Sequence, residues 1–297
     1  MQGSKRTYLF FLLLIVLPRT TWAEPVQLQY RFRSGEVLKY AFAQKGKTVF
    51  RFLDTEEGPQ ELDITARVLN FQKVTAVDRS QRATILMEFR DGNLLATMPK
   101  KRFELPFGLP EMTMKIAPNG AVLATETVKT SDRRSQEKQD VLTGISANSL
   151  NLSQFFGQMS AIMFPSKKLE IGDTWSRTTR FTSPLGETTA ISTHSRLTRL
   201  TEVQGEPTAE IETTATFPMK AQFKLLDADI TVEGTYQLQM IYLFSIPRGR
   251  LIRLEGTATV NQSMVLNVPD QETREIVANH VEAKSDMQFV MELQEST

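Results

Sequence analysis

Few residues in this chain have the type and spacing that chemistry needs. The two histidines, His194 and His280, stand far apart, and neither has a second ligand at a metal-binding spacing. A zinc site needs three or four ligands in fixed geometry, so both read as ordinary strand residues. Ser135-Gln136-Glu137-Lys138 fits a Ser-x-x-Lys pattern. It lies in a polar stretch where nothing would keep the lysine desolvated and neutral, as a general base requires. Asp227 and Asp229 flank Ala228 without the glycine or further acids of a calcium loop, and read as a turn. There is no Gly-x-Ser-x-Gly elbow, phosphate loop or dinucleotide fingerprint. The expectation is a non-catalytic protein with no metal and no cofactor.

The most distinctive short motif is Gly172-Asp173-Thr174-Trp175. Asp173 and Trp175 could form a polar and aromatic ligand contact. The residue types fit a structural role better: Gly and Asp make a turn, and Trp175 fills a core. The remaining candidates are apolar. Phe155, Phe156, Met159, Met163, Met240 and Tyr242 combine aromatic faces with soft thioethers that adapt to varied apolar ligands. They are the expected lining of an apolar-ligand pocket.

The elements that would position them are mostly strands. Val26, Leu28, Tyr30 and Phe32 alternate with polar residues, as do Leu38, Tyr40 and Phe42 after a Ser34-Gly35-Glu36 turn. Further runs span Ile64 to Val77, Ala83 to Phe89, Met112 to Ile116 and Val122 to Val128. The strongest alternation is Ile230 to Phe244, broken only at Gly234, followed by Val281 to Leu293. Strands with one apolar and one polar face belong to an antiparallel sheet, since doubly covered parallel strands are apolar throughout. One stretch departs from this. Ser131 to Asn148 is polar, and Leu152, Phe155, Phe156, Met159, Ile162 and Met163 then fall on one face of a helix that ends before Pro165.

The fold expected is mainly β: two antiparallel β-units, residues 26–128 and 166–297, joined by a polar linker and amphipathic helix at 129–165. The units could share one sheet or barrel. An internal duplication is expected as well. Arg67 and Arg196, Phe89 and Phe217, and Gly120 and Gly249 recur at offsets of 128 or 129 residues, and Gly35 and Gly172 at 137, the excess falling in the longer acidic turn Asp54 to Asp63.

The start of the chain sets the compartment. Lys5 and Arg6 precede ten apolar residues, Tyr8 to Leu17; Pro18 follows, and Thr21-Trp22-Ala23 ends in a small residue. This is the pattern of a cleavable signal peptide over residues 1–23. Ten residues make only about 15 Å of helix, half of a membrane's hydrocarbon core. The expectation is therefore an exported, periplasmic or extracellular chain without an integral membrane anchor. The formal charge of +1 becomes −2 once Lys5, Arg6 and Arg19 leave. The remaining charges form no basic stripe, which argues against nucleic acid as a partner. With no cysteine there is neither a disulfide nor a lipidated thiol.

The Tyr-x-Phe-x-x-Gly-Glu opening at Tyr30, the Phe164 to Trp175 segment and the Pro118-Asn119-Gly120 hairpin resemble a family of exported bacterial β-rich proteins of unknown function. The resemblance implies a fold and a compartment, and it brings no catalytic residues. The function expected is an envelope binding or interaction module. The alternatives are a carrier that holds a lipid or other apolar ligand under a helix, and an unrecognised hydrolase.

Overall fold

A computed structural model describes residues 24–107, 109–128, 161–182, 188–225, 228–269 and 276–296. The alternating runs form strands because each places one row of side chains in the core and leaves the other wet. In β10 the buried apolar residues are Ile230, Val232, Leu238, Met240, Tyr242 and Phe244, as the period-2 pattern requires, and Ser245 at its end is buried as well.

All twelve strands belong to one antiparallel sheet. The first half supplies β1 (Val37–Phe52), β2 (Gln60–Val77), β3 (Ala83–Met98), β4 (Lys101–Phe107), β5 (Met112–Ile116) and β6 (Val122–Thr127). The second supplies β7 (Thr174–Thr182), β8 (Thr188–Val203), β9 (Glu206–Leu225), β10 (Ala228–Ser245), β11 (Arg250–Pro269) and β12 (Ile276–Ser296). The order is β6-β5-β3-β2-β1-β12-β11-β10-β9-β8-β7, with β4 branching from β3. Both expected units therefore share one sheet, joined where β1 pairs with β12 from Leu38↔Ser296 to Phe52↔Val281. β12 alone has 21 residues, about 70 Å of extended chain.

Three expectations need correction. No helix occurs among the described residues. Residues 152–160 of the expected helix lie outside them, while Ile162 and Met163 sit in an extended segment whose backbone bonds to other parts of the chain. Val26–Phe32 is not a strand. Two of its N–H groups go to turn carbonyls instead of a ladder: Tyr30 to Pro118 O (2.6 Å) and Arg31 to Gly249 O (2.9 Å). Only Val26 makes a bridge, with Leu169.

The internal duplication is not supported by the sheet as a whole. The first half has three long strands and three of seven residues or fewer, whereas five of the six in the second half have 16 or more. Likeness remains only locally: Gly120 and Gly249 both take positive φ (85° and 61°) in hairpin turns, and one further turn matches in its bonds. Gly35 and Gly172 have φ of 85° and 97°, and their N–H groups donate to Val74 O and Leu197 O, both at 2.8 Å. Val74 and Leu197 return N–H bonds to Glu36 O and Asp173 O.

The core lies on the inner face. Its larger cluster gathers Leu28, Tyr30, Tyr40, Phe164, Trp175 and Phe244. A smaller cluster under β3 and β5 contains Val74, Ile85, Met87, Met112, Met114 and Ile116. No helix among the described residues is long and apolar enough to cross a membrane.

Candidate binding site

The sheet curls so that its two ends, β6 and β7, flank one cavity of about 440 Å³. The segment Ala161–Phe164 forms the strap between them. Phe164 N–H donates to Asn119 O (2.8 Å), Ile162 N–H to the Tyr30 hydroxyl (3.0 Å), and the Trp175 indole N–H to Met163 O (2.8 Å). The strap passes close over the β5–β6 turn. A Cβ on Gly120 would stand 2.0 Å from Ile162 O, and its φ of +85° already favours glycine.

One wall of the cavity is apolar: Val122, Ile162, Met163, Met240 and Tyr242. Tyr242 donates its hydroxyl to the thioether of Met240 at 3.3 Å, and burial raises its pKa. The other wall carries hydroxyls from β7, β8 and β9: Thr178, Thr179, Thr193, Ser195 and Thr213. Ser195 and Thr213 are both buried, and their hydroxyls lie 2.9 Å apart. None of the described lining residues is charged.

Of the six apolar candidates, the structure brings Met163, Met240 and Tyr242 together in this cavity. Phe155, Phe156 and Met159 lie outside the described residues. The hydroxyl wall was missed in the sequence. Its signal was register: Thr193 and Ser195 share a strand face with Leu197, which is fully buried, so they had to point inward too.

The other chemical candidates are scattered. His194 Nδ1 meets the Ser176 hydroxyl at 2.8 Å, and His280 pairs with Asp54 at 3.1 Å near the far end of the long strands; all four residues are exposed. Among the described residues, no group of three or more His, Asp or Glu side chains could hold a metal ion. Ser135, Lys138 and Asp227 lie outside the described residues, and Asp229 is exposed at the start of β10. In the Gly172 motif, the Asp173 carboxylate accepts the Glu170 N–H (3.2 Å) and the Lys167 ammonium (3.1 Å). These bonds, the backbone one first, hold its pKa below the usual carboxylate value. Trp175 is buried.

No protein-family model matches the chain, and no curated protein matches it. Among solved structures it is similar to lipovitellin, described for its lipid–protein interactions, with 9% identity and a TM-score of 0.48; the match covers 90% of this chain and about a quarter (26%) of that one. It is also similar to an outer membrane channel from Pseudomonas putida F1, with 6% identity, a TM-score of 0.25 and 89% and 97% of the two chains covered. A LolA superfamily protein from Nitrosomonas europaea has 10% identity and a TM-score of 0.16, with 89% of each chain covered. These scores and identities assign no function to the chain.

Proposed function

We propose that this chain is an exported, non-catalytic envelope protein that binds an apolar ligand in the cavity between β6 and β7. The observation that carries the reading is the meeting of Met163, Met240 and Tyr242 in a cavity whose described lining holds no charged side chain. Its volume falls within the roughly 300–1,000 Å³ of small-molecule sites. The signal-like first 23 residues and the resemblance to exported β-rich proteins supply the compartment.

The test is native mass spectrometry of the protein isolated from its own compartment, beside an organic extract of the same sample. A stoichiometric small molecule in both supports the reading. A clean apo mass at high yield overturns it. An interaction module for a protein partner is the second reading. It rests on β6 and β7 being the end strands of the sheet, with Leu123 of β6 half exposed. Edges of this kind can template pairing with another chain. Crosslinking in the native compartment separates the two readings, since only the second expects a reproducible protein adduct through β6 or β7.

A further inference from the structure

Resting on the proposal that the β6–β7 cavity is the ligand site, a further step concerns the chemistry of the ligand's head. By register, Trp175, Ser195, Thr213 and Met240 form one transverse row across β7, β8, β9 and β10. The row changes character halfway, from hydroxyl to thioether, inside the cavity. The Ser195 and Thr213 hydroxyls satisfy each other with one bond. A hydroxyl has one proton and two lone pairs, so the pair keeps one proton to donate and lone pairs to accept.

The absence of charge in the described lining is selective. An ionised head brought here would lose water and meet no counter-ion among the described lining residues, which disfavours it. By register Arg177 stands opposite Thr193 and Lys115 opposite Ala124, and neither cation lines the cavity. A hydroxyl or ester head loses only hydrogen bonds that the Ser195–Thr213 pair can replace. The geometry points to a neutral amphiphile with a hydroxyl or ester head, the head on Ser195 and Thr213 and the hydrocarbon against Ile162, Met163 and Met240.

Native mass spectrometry of the purified full chain tests this with three probes: 1-monooleoylglycerol, oleate and octadecene. A 1:1 complex with monooleoylglycerol is expected at a concentration at least ten-fold below that for oleate. The double variant Ser195→Ala/Thr213→Val is expected to weaken monooleoylglycerol about ten-fold and leave octadecene unchanged. Oleate binding as well as monooleoylglycerol overturns the head-group inference while leaving an apolar-ligand protein in place; a double variant that folds and loses nothing does the same. Failure of all three probes to bind removes the site itself. If the double variant does not fold, the ratio of the two wild-type affinities decides the matter.

Discussion

The hydroxyl oxygen of Tyr30 accepts the backbone N–H of Ile162 at 3.0 Å, across 132 residues of sequence. Both residues are buried. The Tyr30 ring stacks on Phe32 at 5.7 Å and meets the edge of Phe244 at 5.1 Å. One side chain therefore ties the Val26–Phe32 segment to the strap that flanks the cavity. Tyr30→Phe keeps the ring and strands the Ile162 N–H, which is expected to cost about 1–3 kcal/mol. Tyr30→Ala also removes the ring and should cost more, about 3–5 kcal/mol. Urea unfolding measures both; a Tyr30→Phe protein as stable as the parent would mean that Ile162 finds another acceptor.

Burial raises the pKa of Tyr30, Tyr40, Tyr236 and Tyr242, and desolvation is the largest cause in each. In the fold these phenols stay protonated where unfolded tyrosine, with a pKa near 10, already ionises. The unfolded chain binds fewer protons above that pH, so stability is intact below about pH 10 and falls as pH rises further. Tyrosinate absorbance of a chain lacking residues 1–23 is expected to appear together with loss of circular dichroism. A separate tyrosinate step near pH 10 in a still-folded protein would contradict this.

Arg250 Nη2 lies 2.6 Å from Glu36 Oε1, and the two side chains are only 9% and 11% exposed. The pair joins the turn before β1 to the start of β11. Removing one partner strands a charge away from water, so Glu36→Ala or Arg250→Met is expected to cost about 3–5 kcal/mol. The double variant Glu36→Leu/Arg250→Met should recover much of that loss, because an apolar pair of similar size is often neutral in such a place. A double-mutant cycle by urea unfolding gives the coupling. Single-variant losses below about 1 kcal/mol would match a surface pair instead.

The strands were legible where alternation is long. Ile230 to Phe244 announces β10 because period-2 burial repeats over the whole run, and the antiparallel class follows from its wet opposite face. Pairing partners were not legible. β1 and β12 meet through backbone bonds from opposite ends of the chain, and backbone leaves no pattern in residue types. The helical spacing of Ile162 and Met163 misled for a related reason. Their backbone is held by hydrogen bonds with Tyr30 and Trp175, and a strap fixed by such distant partners needs no period of its own. The apolar half of the cavity could be read from residue type. Its hydroxyl half could be read only from strand face.

Gly120 is where the strap can be tested directly. Alanine there would have to hold a φ of +85° and put its Cβ 2.0 Å from Ile162 O, with Tyr30 Cε2 2.9 Å away. The carbonyl is backbone and cannot swing aside as a flexible side chain would. Gly120→Ala is therefore expected to shift the strap and to cost at least the roughly 1–3 kcal/mol of a strained φ. Gly35 has the same φ of +85° but nothing within 4 Å of the added Cβ, so Gly35→Ala carries the strain without the collision. Thermal melts of the two variants should separate these terms, with Gly120→Ala melting lower. Amide exchange at Ile162 and Phe164 should speed up in Gly120→Ala alone, because only that substitution pushes on the strap. Equal melting of the two proteins, with unchanged exchange at Ile162, would mean that the strap does not rest on the β5–β6 turn.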